Sequence, residues 1–551
     1  MPTGAELFVR TIAQLGIRHI FTLVGDHLNE VLAVAAREQM HIIDMRHESG
    51  VTHAADAWAR IHRRPAISLV TGGPGHTNSL TGIATANLAG SPLIAVSGSR
   101  ASTLADRGGF QDIDQLSITR PVVKWAAQPP GPGQIPFYLM RAYAEANNGR
   151  KGAVHLTIPV DFFISQAEAQ DVVTPNAPSP PAPNATEIDK VLAMLRSAER
   201  PIVIAGSGVW WSGAEVELRK FIKKTSLPLY TITMARGIVP DTHALCMGYA
   251  DPALNRAALQ AYREADLILV VGKRLDYRLG LGGERVFPAG VRLIQVDIQA
   301  SELGMNRKRD VGICADAGAT LRAFTEGWSG DSDWSGWIRH LRTLREQWEQ
   351  AIAHAADDES LPLHPAAFYR ALKRALPSGV LYSWDGGDFA HWGRVSLPAL
   401  LPGGWLRLGP LGTIGASLPH GIALQLANPG KPVAVITGDG ALGFYLAEME
   451  TAVRHKLPIV LIVGNDAGWG LERELQSAAN LRETVGTELS FSRYDAIMQA
   501  FGGRGENIES LDQVAPAVAR AFASGVPYCL NVKIRGARSP FTDWQIAGKK
   551  K

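Results

Sequence analysis

The sequence predicts an α/β protein of three domains, each a mainly parallel sheet flanked by helices. Three observations carry this. The 551 residues exceed what one core can hold, because chains beyond about 250–300 residues split into domains. Short β-type runs alternate with helical patterns in three blocks: IIDM, AISLV and LIAVSG, then PIVIAG, LILVVG and RLIQVD, then VLYSW, VAVIT and IVLIVG. Strands separated by helices form parallel sheets whose ligand sites lie at the carboxyl ends of the strands. Two seams also separate the blocks. TPNAPSPPAPNATE at 174–187 reads as an extended linker, and a charged, Trp-bearing helical segment followed by SLPLHP lies near 328–362. The expected division is a first domain at 1–172, a linker at 173–187, a central domain at 188–330, a linker helix at 331–362 and a third domain with a tail at 363–551.

Composition narrows the function. A hydrophobic fraction of 46% with 19% charged residues is that of a folded globular chain. A net charge of +3 is small for this length and gives no reason to expect nucleic acid. The three cysteines, Cys246, Cys314 and Cys529, have neither metal-ligand spacing nor a disulfide framework. No run approaches the ~18 apolar residues of a membrane span, and MPTGAELFVR lacks the order of a signal peptide. A cytoplasmic enzyme acting on a small molecule is expected, with no nucleic-acid or membrane partner.

The first and third blocks echo each other. ISLVTGGPGHTNSLTGIATANLAGSPLIAVSG runs strand, Thr71, glycines, helix and strand, and AVITGDGALGFYLAEMETAVRHKLPIVLIVGN repeats that order with Thr437 in the place of Thr71. This layout suggests two related α/β domains flanking a third of different role.

The third block holds the motif that decides between chemistries. In VAVITGDGALGFYLAEMETAVRH, at 433–455, a strand meets Gly438, Gly440 and Gly443 before a helix, the pattern of a dinucleotide loop. An acid inside such a loop, Asp439, would repel two phosphates unless a cation lay between them. Asp466 follows 27 positions later, after one helix and one strand. In a right-handed βαβ unit both acids fall at the carboxyl ends of parallel strands and converge. Two carboxylates beside a phosphate cradle suit a hard cation such as Mg²⁺ bridging to a diphosphate. A nicotinamide-linked oxidoreductase or a non-catalytic nucleotide binder is the other reading, and it leaves Asp439 unexplained.

Gly438-Asp439-Gly440, with GNDAGW closing the next strand, resembles the binding motif of thiamine-diphosphate-dependent enzymes. The order of blocks resembles the acetohydroxyacid synthase, benzaldehyde lyase and 2-hydroxyacyl-CoA lyase group over essentially the whole chain. The resemblance implies pyrimidine-binding, central and diphosphate-binding domains. It also implies cofactor sites between two subunits, hence a homodimer or homotetramer. By position Asp439 and Asp466 are metal ligands with the Gly468 carbonyl beside them, although many members carry two asparagines where this chain has Asn465-Asp466. The resemblance implies further cofactor contacts from Gly438, Gly440, Ala441 and Trp469. Gly387 and Asp388 of WDGGDF are implied to meet the diphosphate. In GPLGTIGASLPHG, Ile414 takes the place of the residue that props the cofactor into its bent shape, with the Gly412 carbonyl on the pyrimidine.

The same resemblance places Glu48 of DMRHESG as the acid that hydrogen-bonds the pyrimidine ring nitrogen, with Thr71 on the same side. A buried, charge-poor setting would raise its carboxyl pKa for that task; the other reading is an acid at a helix N-terminus. His27 of GDHLNE stands where benzaldehyde lyase has a proton-shuttling histidine, and Gln111 of FQD where relatives place a polar side chain near the reacting carbonyl. The implied reaction is cleavage or joining of a carbon–carbon bond in a 2-hydroxy ketone or 2-hydroxyacyl-CoA. Acetolactate synthesis from pyruvate and 2-oxo acid decarboxylation are the alternatives. In the central block, Lys273, Arg274 and Arg278 of GKRLDYRLGLGG suit the phosphates of an ADP or CoA moiety. MGYADPALNRAAL stands where FAD-bearing members have a glycine-histidine segment, so FAD is not expected. The tail ending in Lys549, Lys550 and Lys551 resembles the lids of CoA-linked members, with a solvated basic end as the simpler reading.

Overall fold

A computed structural model describes residues 1–168, 179–330, 332–479 and 483–549; positions 173–178 of the linker expected at 173–187 therefore lie outside the described residues. Three six-stranded parallel sheets make up the frame. The first contains β1 (His19–Thr22), β2 (His41–Asp44), β3 (Ala66–Val70), β4 (Leu93–Ser99), β5 (Trp125–Ala127) and β6 (Val154–Pro159) in the order β2-β1-β3-β4-β6-β5. The second contains β7 (Pro201–Ala205), β8 (Leu229–Thr231), β9 (Cys246–Tyr249), β10 (Leu267–Val271), β11 (Arg292–Asp297) and β12 (Val311–Cys314) in the order β12-β11-β10-β7-β8-β9. The third contains β13 (Leu381–Trp384), β14 (Trp405–Arg407), β15 (Val433–Gly438), β16 (Val460–Asn465), β17 (Arg504–Ile508) and β18 (Tyr528–Lys533) in the order β14-β13-β15-β16-β18-β17.

The central strands are continuous apolar runs because helices cover both faces of a parallel sheet; β3, β7 and β10 are buried at every residue. All nine runs read from the sequence as strands are strands, and the first and third sheets share one topology, as their echo suggested. The central sheet instead has the order of a dinucleotide-type doubly wound fold, with its switch point between β7 and β10.

Two helices join the first and third domains. Helix Glu48–His62 starts at His47, whose Nδ1 accepts the Ser49 N–H at 3.1 Å, and ends at Arg63 in the left-handed region. It packs on helix Ser417–Ala427. At that seam the buried Arg60 pairs with Asp56 and donates to the Arg407 carbonyl at 2.7 Å. Helix Ser335–Ala355 covers the charged, Trp-bearing segment.

The tail differs from its simpler reading. Residues Pro540–Lys549 form a helix held by apolar and cationic contacts rather than standing free in solvent. Phe541 stacks against His391 at 4.2 Å, and Arg285 lies 3.7 Å over the Trp544 ring. Lys550 and Lys551 lie outside the described residues. No described helix is long and apolar enough to cross a membrane.

Candidate active site

The adjacent strands β15 and β16 set the first half of the site, with Gly438 level with Gly464. Their carboxyl ends bring Asp439 and Asp466 together, as the spacing requires. Asp439 is 2% exposed and its Oδ2 accepts the Gly468 N–H at 3.0 Å. The two carboxyls are in hydrogen-bond contact. Burial pushes both pKa values up, and the Asp439 charge pushes Asp466 further while Arg473 opposes it. Arg473 Nη1 lies 3.4 Å from Asp466 Oδ2, but its Nε is shared with Glu488 at 2.9 Å. Two enclosed acids with so little compensation need a proton or a cation between them, and an all-oxygen donor set fits a hard divalent ion. Asn465 is not available to it. Its side chain is buried, donating to the Ser492 carbonyl at 2.9 Å and accepting from Ala467 N–H.

These acids line a cavity of about 190 Å³ together with Gly387, Asp388, Ile414, Gly438, Gly440, Ala441, Gly468 and Trp469. Backbone shapes it. Gly387 has φ +79°, which a side chain would resist. A Cβ at Gly440 would fall 2.8 Å from the Trp469 ring, so the glycine lets the indole close over the loop. Helix Gly387–Ser396 begins at this cavity, and a helix N-terminus is a favourable place for an anion. The Asp388 side chain works elsewhere: Oδ1 accepts the Ser539 N–H at 3.0 Å and the Thr542 hydroxyl at 2.6 Å, anchoring the tail helix. Gly412 sits on an exposed loop with φ +77° and does not line the cavity.

The second half lies on the first domain. His27 is 5% exposed. Its Nδ1 accepts the Gly72 N–H at 3.1 Å and lies 3.1 Å from the Thr71 hydroxyl. An amide N–H can only donate, so Nδ1 carries a lone pair and the ring proton sits on Nε2. Burial lowers the His27 pKa. Gln111 Oε1 stands 3.5 Å from the Thr71 hydroxyl, on a residue with φ +58°. A left-handed glutamine is a strained choice of the kind found at functional loops. Glu48 is the first residue of its helix, half-buried, and accepts from Asn78 Nδ2 at 3.0 Å. The burial expected of Glu48 is thus incomplete within one chain.

No first-domain residue lines the 190 Å³ cavity, so within one chain the Asp439–Asp466 cavity and the His27 group stand apart. Exposed apolar side chains flank each half. Leu104, Phe110 and Ile113 belong to the first-domain half; Leu411, Phe444 and Phe491 belong to the third-domain half.

Sequence reading missed three residues that hold the halves in place. Gln115, 3% exposed, accepts the Gly73 N–H at 3.1 Å and donates to the Gly98 carbonyl. Asp385, fully buried, accepts from Gly386 and Gly415 N–H and from Ser417 and Thr437 hydroxyls, tying β13, β15 and the Ile414 loop. Arg473 partly balances Asp466. No local pattern marks Gln115 or Asp385, most of whose partners come from distant segments, whereas Arg473 stands in the helix just after Asp466.

A larger cavity of about 480 Å³ opens at the switch point of the central sheet, lined by Ser207, Gly208, Gly272, Lys273 and Arg274 and by Arg150 and Lys151 of the first domain. Arg278 is not on it. Instead Nη1 binds Asp251 at 3.0 Å, because the turn at Tyr277–Gly282 carries it past the strand end, which corrects its grouping with Lys273 and Arg274.

Comparison with known proteins gives three matches along the chain. Residues 2–118 match the thiamine pyrophosphate enzyme N-terminal TPP binding domain, 188–324 the central domain and 385–532 the C-terminal TPP binding domain. A probable acetolactate synthase of Mycobacterium bovis is 33% identical over 531 residues, covering 96% of this chain and 95% of that protein. The 2-hydroxyacyl-CoA lyase 1 of Mus musculus is 31% identical over 554 residues, covering 97% and 94%. The sulfoacetaldehyde acetyltransferase of Castellaniella defragrans is 28% identical over 542 residues, covering 94% and 90%.

Proposed function

The chain belongs to the thiamine pyrophosphate enzyme family, and from that premise we propose a Mg²⁺-dependent lyase and carboligase for 2-hydroxy ketones or 2-hydroxyacyl-CoA thioesters. When bound, thiamine diphosphate supplies a carbon nucleophile that adds to a carbonyl and accepts the electron pair of the neighbouring carbon–carbon bond. Asp439, Asp466 and Gly468 hold the metal, and the amides around Gly387, Gly440 and Ala441 hold the diphosphate. Ile414 would support the bound cofactor and Trp469 would wall the substrate pocket. Glu48 would share a proton with the pyrimidine ring nitrogen, and the Gly412 carbonyl would accept from the ring's amino group.

The half-exposed Glu48, the cavity without it and the apolar rims of both halves support a two-subunit site. A two-fold pairing sets the first domain of one subunit on the third domain of the other, in a homodimer or homotetramer. Cytoplasmic location is part of this reading. The 480 Å³ cavity suits an ADP-like moiety, alone or within CoA, with Lys273 and Arg274 toward its phosphates; FAD is not proposed.

The observation that carries the substrate reading is the ring of His27. Locked through Nδ1, it presents Nε2–H to an oxygen of the substrate. Taking a proton from a hydroxyl requires the other tautomer, with Thr71 accepting from Nδ1. Gln111 adds a second polar group nearby. Acetolactate formation from pyruvate is the second reading, supported by the 33% identical relative. The test is to give the protein with thiamine diphosphate and Mg²⁺ benzoin, a 2-hydroxyacyl-CoA and pyruvate. Aldehyde release from either hydroxylated donor is expected. Acetolactate from pyruvate with no cleavage of the others would favour the second reading.

A further inference from the structure

One fully buried acid serves neither the Asp439–Asp466 cavity nor the His27 group. Glu448 opens the helix Glu448–Arg454, on the segment that follows Asp439. Among the described residues no cation makes a salt bridge with it. The Arg46 guanidinium turns to Glu450 at 3.4 Å, and that of Arg454 turns to Asp44 and Glu450.

Its carboxylate is spent on the start of helix Glu48–His62. The Arg46 N–H lies between the two oxygens, 3.2 Å from Oε1 and 3.4 Å from Oε2, and the His47 N–H also donates to it. The Thr451 hydroxyl, from its own helix, donates at 2.6 Å. His47 caps the helix and Glu48 is its first residue, so the third domain supplies the anion that a helix N-terminus favours. The approach is close: a Cβ on Gly50 would fall 2.5 Å from Glu448 Oε1.

The same segment adds a second hold, with the Tyr445 hydroxyl 2.7 Å from Ser49 Oγ in the buried seam. Contacts that served only to join the two domains could fall anywhere along the helix, as the Arg60 contact with the Arg407 carbonyl does near its far end. These fall on Arg46, His47, Ser49 and Gly50, on both sides of Glu48.

We propose, resting on the role proposed for Glu48, that Glu448 is its positioning residue: the carboxylate fixes the first helical turn so that Glu48 meets the pyrimidine ring in the geometry that proton sharing needs. The test is proton–deuterium exchange at the reactive carbon of the cofactor, at saturating thiamine diphosphate and Mg²⁺, beside calorimetric cofactor affinity. Glu448→Ala should slow exchange at least ~10-fold, since a misplacement of about 1 Å can cost ~10²-fold, and should leave affinity nearly unchanged. Glu448→Gln keeps an acceptor for the Arg46 N–H and should restore exchange to within about 3-fold of the wild type. Gly50→Ala displaces the carboxylate without altering either acid, and alanine suits a helix better than glycine. It should slow exchange as Glu448→Ala does, and it decides the matter if Glu448→Ala fails to fold. Glu48→Gln is the reference. Slow exchange there, with wild-type exchange in either Glu448→Ala or Gly50→Ala, would overturn the proposal alone. Wild-type exchange in Glu48→Gln would overturn the role of Glu48 and the proposal with it. Equal losses of exchange and cofactor affinity, or a glutamine no better than alanine, would leave Glu448 a strut of the domain seam and overturn it as well.

Discussion

The sheets of the first and third domains follow the same strand order, yet equivalent strand ends carry opposite chemistry. After β3, Thr71-Gly72-Gly73 leads into the unbroken helix Pro74–Ala89, and its amides are spent on side chains, Gly72 on His27 and Gly73 on Gln115. After β15, Gly438-Asp439-Gly440 leads into the one-turn helix Asp439–Leu442 and the 3₁₀ turn Gly443–Tyr445, and the neighbouring strand ends beside Asp466. One loop is filled by the protein's own side chains. In the proposed function the other offers backbone amides and two carboxylates to a charged ligand. The frame decides where the loops stand, and a few residues in each decide what they hold.

If the first domain handles protons, Glu48→Gln should break it without touching the third. The amide keeps a hydrogen bond but cannot pass a proton, so kcat should fall on the order of 10²–10⁴-fold. Cofactor affinity measured by calorimetry should change little. Unchanged proton–deuterium exchange at the reactive carbon of the cofactor would return Glu48 to the role of a helix-terminal acid.

The converse variant is Asp439→Ala. Loss of an outer-shell partner alone costs about 10–100-fold in metal affinity, so removing a direct ligand should weaken thiamine diphosphate binding by ~10² or more. Chelator should have the same effect on the wild type. Equal affinity in EDTA and in Mg²⁺ would contradict the division of labour.

Much of this division was legible in the sequence. Asp439 and Asp466 could be placed because the strand–helix–strand unit between them is regular, and the echo of the two domains survives as a shared topology. The supports were not legible. Glu448, fully buried with its pKa pushed to about 7 by burial, accepts the Arg46 N–H at 3.2 Å across the first and third domains, and nothing in the sequence around either residue announces the other. Arg278 was misplaced because a turn, not the strand, sets its direction. The tail helix was underread because Phe541 and Trp544 find their partners in distant segments.

His27 sharpens the comparison at smaller scale, since its partner is an amide of the loop after β3. Burial lowers its pKa, so the ring is neutral at pH 7, and activity that needs it neutral should fall only below pH 6.5. A donor at Nε2 can be replaced by an amide; a base cannot. His27→Gln should therefore retain about 10-fold more cleavage of a hydroxylated substrate than His27→Ala. Pyruvate decarboxylation needs no hydroxyl deprotonation and should be spared in both. Equal losses in Gln and Ala would assign His27 as the base.

The smallest expected effect concerns acid. In the first domain His53, His76 and His155 are fully buried, and burial lowers their pKa to about 3, about 4 and well below 6.5 respectively. Below pH 6.5 the unfolded chain binds protons at these positions that the folded chain does not, so stability falls as pH falls, by up to about 1.4 kcal/mol per pH unit for each histidine. The third domain has the same liability in His391 and His420, but also carries acids with the opposite sign. Asp439, Asp466 and Glu448 have raised pKa values. Without metal the folded state holds their protons between about pH 4 and 7 when the unfolded state does not, which adds stability as pH falls through that window. Acidifying the cofactor-free protein from pH 7 to 5 should therefore loosen the first domain ahead of the third. Limited proteolysis across that range should cut within the first domain earlier, and preferential cutting of the third would show that the buried histidines are not the controlling groups.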